Sequence, residues 1–185
     1  MRIIGGSARG LKLALLGAGD AAAHLRPTSD RVRESIFNLL INGGYGNPVQ
    51  GAQVLDLFAG TGALALEALS RGADRAVFVE NGRAALGLLT QNIALMRMGG
   101  RCDILRMDAT KPALKHGQMF DLVFLDPPYG KQMGEAALAA ARTHIAPDAL
   151  IIWEESQAPT PPQGFETLDQ RKYGDTLVTI LRKSD

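Results

Sequence analysis

The sequence contains one cysteine, three histidines and one tryptophan in 185 residues. A lone thiol, Cys102, cannot close an internal disulfide. With His24, His116 and His144 scattered along the chain, it cannot complete a four-ligand zinc site either. No metal is expected, and a reducing compartment is the simplest home. No apolar run reaches the roughly 18 residues of a spanning helix. The start, Met1-Arg2-Ile3-Ile4-Gly5-Gly6, lacks the apolar stretch of a signal peptide. The expectation is a cytoplasmic protein with no membrane partner. Neither sign of charge dominates: 20 basic residues face 19 acidic ones, for a net charge of +1. As a sum, this argues against a polycationic binder of nucleic acid. With 46% hydrophobic and 21% charged residues the chain is neither disordered nor collagen-like. Its length suits one globular domain, at roughly 100–200 residues per domain.

The sum conceals a distribution. Residues 1–50 carry six basic side chains (Arg2, Arg9, Lys12, Arg26, Arg31, Arg33) against three acidic ones (Asp20, Asp30, Glu34), whereas the remainder carries fourteen against sixteen. The first fifty residues are therefore electrostatically distinct. Their pattern differs too. Short β-like pieces, Arg2 to Ile4 and Leu11 to Leu15, suggest a small hairpin, and a Gly/Ala-rich stretch then leads to Arg26-Pro27-Thr28. Thr28 is expected to cap a helix running to about Ile41, with Val32, Ile36, Leu39 and Leu40 at helical spacing and Arg31 and Arg33 pointing elsewhere. The expected division is an N-terminal extension, 1–50, and a main domain, 51–185.

From Val54 onward apolar runs alternate with helical stretches, the pattern of successive βαβ units. The runs are Val54 to Phe58, Ala76 to Glu80, Ile104 to Met107, Phe120 to Leu125 and Leu150 to Trp153. Helices are expected to about Arg71, after Asn81 as a cap, and from Glu135 to Arg142. Runs this apolar are buried on both faces, which implies a mostly parallel sheet covered by helices. Phe165 to Lys172 and Thr176 to Arg182 read as a terminal antiparallel hairpin. The fold class expected is α/β, with a seven-stranded sheet.

Ligands of open α/β sheets bind at the carboxyl ends of the strands, so unusual residues there carry the functional signal. The first strand runs into Asp56-Leu57-Phe58-Ala59-Gly60-Thr61-Gly62. Gly60 and Gly62 allow a sharp turn and a close backbone approach at a helix N-terminus, although an ordinary tight turn would use the same residues. Glu80 ends the second strand 24 residues after Asp56, the spacing at which a nucleotide-binding sheet places a carboxylate over ribose hydroxyls. Asp108 ends the third, where its carboxylate could read an adenine edge or simply cap a turn. The fourth strand leads into Asp126-Pro127-Pro128-Tyr129, a stiff elbow in which each proline fixes its φ and removes an amide donor. A planar exocyclic amine entering it could give one N–H to the Asp126 carboxylate and the other to the Pro127 carbonyl, while Tyr129 stacks on the base.

Val54 to Leu66 (VLDLFAGTGALAL), Glu80, Asp108 and the DPPY at 126–129 resemble the motif set of class I S-adenosylmethionine-dependent methyltransferases acting on exocyclic amines. Arg26 to Asn38 (RPTSDRVRESIFN) narrows this. Over essentially the whole chain the sequence resembles the bacterial RsmD family of 16S rRNA guanine-N2 methyltransferases. The resemblance implies a Rossmann-like methyltransferase sheet with S-adenosyl-L-methionine as cofactor. The cofactor residues it implies are Asp56, Phe58, Gly60, Thr61, Gly62, Glu80, Asp108, Ala109 and Asp126. Asp126, Pro127 and Tyr129 are expected to act in catalysis, and Arg26, Thr28, Arg31, Arg33, Pro128 and Tyr129 to meet the substrate. The Arg26-Pro27-Thr28 segment is expected to fold over the cofactor. The implied partner is 16S rRNA within a small-subunit assembly particle, with a monomeric enzyme favoured.

Direct transfer to a flipped or single-stranded guanine needs little beyond positioning. Asp126 then serves as an orienting acceptor, and the reading requires no carboxylate of raised pKa. An adenine-N6 DNA methyltransferase would use the same elbow but usually carries a target-recognition insert, for which no stretch here is long enough.

Overall fold

The structure, a computed structural model, describes residues 1–15 and 29–184. Its elements run α1 (Asp30–Asn42), β1 (Gln53–Leu57), α2 (Ala63–Ser70), β2 (Arg75–Glu80), α3 (Arg83–Leu95), β3 (Cys102–Arg106), β4 (Phe120–Leu125), α4 (Met133–Ala141), β5 (Ile145–Glu155), β6 (Phe165–Tyr173) and β7 (Thr176–Lys183). The strands form one seven-stranded sheet in the order β3-β2-β1-β4-β5-β7-β6. β1 to β5 pair in parallel, and β7 pairs antiparallel with both β5 and β6. This is the expected Rossmann-like α/β architecture with its terminal hairpin. The order reverses direction between β1 and β4, so a crevice opens there at the carboxyl ends of the strands.

The alternation of side chains across the sheet divides the core in two. Val54, Phe78, Phe124 and Ile152 face α1, α2 and α3. Leu57, Val79, Leu125 and Trp153 face α4 and the connection from Met107 to Leu114. The central strands β1, β2, β4 and the second half of β5 are buried on both faces, which accounts for their apolar runs, whereas β3 and β6 at the sheet edges are not. β5 is longer than the Leu150–Trp153 run suggests, extending back to Ile145 through Pro147 and a left-handed Asp148 (φ 60°). The proline masks that extension in the sequence. Among the described residues no helix is long and apolar enough to cross a membrane.

The first residues fold back on themselves. Ile3 N–H donates to the Leu11 carbonyl and Gly10 N–H to that of Ile3, with an antiparallel bridge between Arg2 and Lys12. This hairpin is clamped onto α2. The fully buried Glu67 accepts the amides of Ile4 and Gly5 at 2.7 and 2.8 Å and the Nε of Arg71 at 2.7 Å. A Cβ on Gly6 would stand 1.8 Å from the Ser70 carbonyl oxygen, so only glycine allows the approach. Ile3, Leu13, Ile36, Phe37 and Leu40 share one buried cluster with α2. The extension and the sheet thus share a core.

Two helix caps differ from expectation. Ser29, not Thr28, caps α1, its hydroxyl accepting the Val32 amide. Gly82, not Asn81, precedes α3, with no side-chain cap bond, and the amides of both residues are bound by the Glu80 carboxylate.

Candidate active site at the carboxyl ends of the strands

Asp56, Glu80, Asp126 and Glu154 each follow, by two residues, a side chain of the core facing α1 to α3, and so project from that same face. In the parallel register Leu57 lies beside Leu125 and Leu125 beside Trp153, which sets Asp126 and Glu154 side by side on neighbouring strands. Asp56 and Glu154 are each only 2% exposed. Burial, with smaller contributions from the Glu80 and Glu154 charges, pushes Asp56 up to about 8 despite the opposing hydrogen bond from the Ala65 amide. Burial and then the charges of Glu154, Asp56 and Glu155 raise the Asp126 carboxyl well above the ordinary carboxylate range. Sequence reasoning needed no such shift. It follows first from burial and then from neighbouring acids, among them Glu154 and Glu155 at the end of β5, whose position after an apolar run was the available signal.

The turn from β1 to α2 is wound through three left-handed residues, Phe58 (φ 63°), Gly60 (φ 57°) and Gly62 (φ 79°). A Cβ at Gly62 would meet Leu89 Cδ1 at 2.4 Å, so the second glycine of the turn is required by packing as well as by φ. Glu80 ties the turn down. Its Oε2 accepts the Gly60 amide at 2.8 Å, and its Oε1 accepts those of Asn81 and Gly82 at 2.9 and 2.7 Å. With a single donor, Oε2 retains capacity for a ligand hydroxyl. The buried Asn92, which sequence reasoning missed, donates to the Thr61 carbonyl at 3.0 Å and accepts the Ala14 amide at 2.7 Å, joining the turn to the N-terminal strand. Asp108 lies exposed at the end of β3, binding the amide and hydroxyl of Thr110, both at 2.8 Å, which lower its pKa. Ala109 beside it is buried.

The elbow after β4 continues the sheet, the Asp126 amide reaching the Leu57 carbonyl at 3.4 Å. Pro127 is buried and Pro128 exposed. Among the described residues no donor reaches the Asp126 carboxylate or the Pro127 carbonyl. Two adjacent acceptors on a stiff support are thus left to a ligand. Tyr129 is half-buried, and its hydroxyl lies 3.2 Å from that of Thr176, which the sequence reading placed at a strand start without a role in the site.

Of the expected substrate-facing residues, Arg31 is exposed on α1. Arg33 is not. It is fully buried, donating to the Arg2 carbonyl and, at 2.9 Å, to Asp30. It follows Ser29 by four residues and lies on the face of Ile36, Phe37 and Leu40, so it packs under the hairpin and does not face solvent. Arg26 and Thr28 lie outside the described residues. Among the described residues no cluster of His, Cys, Asp and Glu is arranged to hold a metal ion.

A family model described as conserved hypothetical protein 95 matches residues 1–182. The chain belongs to that family, the RsmD family. Its relatives include the ribosomal RNA small subunit methyltransferase D of Escherichia coli strain K12, 34% identical over 188 residues that cover 99% of this chain and 90% of that one. The protein of the same name from Haemophilus influenzae is 33% identical and covers 94% and 89% of the two chains. The solved Escherichia coli chain yhhF superposes with a TM-score of 0.83 at 34% identity, covering all of this chain and 98% of that one. Family and fold thus match over nearly the full length, hairpin and α1 included.

Proposed function

We propose that this RsmD-family protein is an S-adenosylmethionine-dependent methyltransferase of the cytoplasm that modifies the exocyclic N2 amine of a guanine in small-subunit rRNA. The observation that carries the reading is the pair of acceptors at Asp126 and Pro127, rigid, adjacent and unused by any donor among the described residues. An exocyclic amine has two N–H groups, and this elbow can accept both.

The site also fits the cofactor. Asp56, Asp126 and Glu154 crowd negative charge on one face, and each raises a neighbour's proton affinity. A ligand bearing a positive sulfonium and an ammonium group relieves that repulsion. Asp56, Phe58, Gly60, Thr61 and Gly62 would hold its methionine portion, Glu80 its ribose, and Asp108 and Ala109 its adenine. Bound there, the cofactor supplies an electrophilic methyl group.

The protein's own share is positional. Asp126 and Pro127 orient the amine so that its lone pair points away from the two carbonyl acceptors, and Tyr129 supplies a stacking face, a contact worth about 1–3 kcal/mol. A raised Asp126 pKa lets this carboxylate take the proton that the amine loses. Because Asp126 and the buried Pro127 lie at the sheet end beside β5, the base must leave its stack to reach both acceptors. The names of the two methyltransferase D relatives support rRNA as substrate, and the modest N-terminal surplus of cations suits a short exposed nucleotide in a small-subunit particle, met by a monomer.

The test is to incubate the protein with labelled S-adenosylmethionine and, separately, small-subunit particles, naked 16S rRNA, DNA and total protein, then to identify the labelled nucleoside. The expected product is N2-methylguanosine from small-subunit RNA. Label in N6-methyladenosine or in protein would overturn the reading.

A further inference from the structure

We propose that Thr176, at the first position of β7, is a positioning residue that holds the Tyr129 ring in its base-stacking orientation beside Asp126 and Pro127. The inference rests on the function proposed above and adds a residue from the far end of the chain to that site. The two hydroxyls lie 3.2 Å apart across 47 residues of sequence.

The prolines before Tyr129 stiffen its backbone but do not themselves set the side-chain torsions χ1 and χ2 of its half-buried ring. A hydrogen bond at the tip of the ring, the point farthest from Cα, fixes χ1, and because the phenolic O–H prefers the ring plane it also biases χ2. β7 can reach that tip because it runs antiparallel to β5, with Leu177 beside Glu155. The first residue of β7 therefore lies at the same edge of the sheet as the carboxyl ends of β1, β4 and β5. Thr176 is itself fixed there, paired with Tyr173 across the tight β6–β7 turn, in which Gly174 has a φ of 61°.

The loop backbone has a separate anchor. The Gly130 amide donates to Glu155 Oε1 at 3.2 Å, and that oxygen also accepts the amide and hydroxyl of Ser156. Loss of the Thr176 hydroxyl thus frees the ring while the elbow stays in place. The Tyr129 hydroxyl, pushed up to about 12 by burial and the nearby carboxylates, stays neutral and bonded through the working pH range.

The test is a double-mutant cycle between Thr176→Val, a near-isosteric change, and Tyr129→Phe, with Thr176→Ser as the conservative control. Steady-state methyl transfer to small-subunit rRNA is measured alongside cofactor affinity and thermal midpoint. Thr176→Val should lower kcat/KM roughly fivefold, the scale of one net hydrogen bond. Part of the loss should persist in kcat at saturating RNA, because a rotated ring misplaces the amine even when the base is bound. Tyr129→Phe should cost the same, the double variant no more than either single one, and Thr176→Ser should restore transfer, all with cofactor affinity and thermal midpoint unchanged. Wild-type kinetics in Thr176→Val, or multiplicative losses in the double variant, would overturn the inference. So would a loss that tracks a lowered thermal midpoint. If the wild-type protein transfers no methyl group to rRNA, the proposed function fails as well. An active wild type with a silent Thr176→Val defeats this inference alone.

Discussion

Asp56 and Asp126 stand on adjacent strands of one face, and neither can ionise cheaply in the ligand-free protein. For Asp56 the consequence is measurable in stability. Its pKa is raised from 3.8 to about 8, so between those values the folded protein keeps a proton that the unfolded chain releases. Folding stability contributed by this group therefore falls as pH rises from about 4 to about 8 and is constant above that. Asp56→Asn, whose amide oxygen can still accept the Ala65 amide, removes the titration. Its stability relative to wild type should grow with pH, by more than about 1 kcal/mol between pH 5 and pH 8, given roughly 1.4 kcal/mol for each tenfold change in proton affinity. Urea unfolding at the two pH values reads this directly, and a pH-independent difference would contradict it. Cys102 points to a quieter chemistry: burial first of all pushes its thiol up to about 11, so it is a poor nucleophile at neutral pH and fits the absence of a thiol role in the site.

Between elements, the decisive contacts join the N-terminal hairpin, α1 and α2. Arg33 illustrates both what the sequence makes legible and where reading it goes astray. Positions 33, 36, 37 and 40 repeat at i, i+3, i+4 and i+7, the spacing of a buried helical stripe, yet an arginine at its head reads as exposed unless a partner is known. The partner is Asp30 one turn earlier, together with the Arg2 carbonyl on the hairpin, and no local pattern announces a contact across 31 residues. Arg33→Met should lose about 2–3 kcal/mol, less than a fully buried pair because Asp30 remains partly hydrated. That corresponds to a fall of roughly 4–12 °C in thermal midpoint for a chain of this size. A midpoint within 1 °C or so of wild type would contradict the lock.

The strands were legible for the opposite reason. Burial on both faces writes an apolar run into the sequence whatever the partner, and an acid directly after the run marks its carboxyl end. This rule identified Glu80 and Asp126, while Asp56, inside its run, was marked by the glycine turn that follows; applied to Glu154 the rule would have found that residue too. Thr176 was not legible, because its role depends on the antiparallel return of β7 to the Tyr129 edge, a matter of topology and not of local pattern. Each helix cap lies one residue after the expected position: Ser29 accepts the Val32 amide, and α3 starts after Gly82 with no side-chain cap bond.

Across the whole molecule, charge is sorted more finely than a net value of +1 suggests. Acidic side chains gather at the carboxyl ends of the strands, while Arg2, Arg9, Lys12 and Arg31 are exposed on the hairpin and α1. With Arg33 buried, the described part of the N-terminal segment offers four cations to RNA phosphates, few enough that each should count. Arg9→Ala and Arg31→Ala should each weaken binding to small-subunit RNA and lessen the slope of log affinity against log salt by up to about 1. Arg33→Met should leave that slope unchanged while lowering stability. A slope altered by Arg33→Met and untouched by Arg31→Ala would reverse this assignment of roles.

The central claim is that the Asp126 carboxylate orients an exocyclic amine for methyl transfer and is not needed to hold the cofactor. Single-turnover transfer by Asp126→Ala, measured beside its affinity for S-adenosylmethionine, tests it most directly. The expected result is transfer slowed roughly a hundredfold or more, as for loss of one preorganised polar contact in an active site, with cofactor affinity within about tenfold of wild type. Transfer at the wild-type rate, or loss of transfer fully explained by loss of cofactor binding, would contradict it.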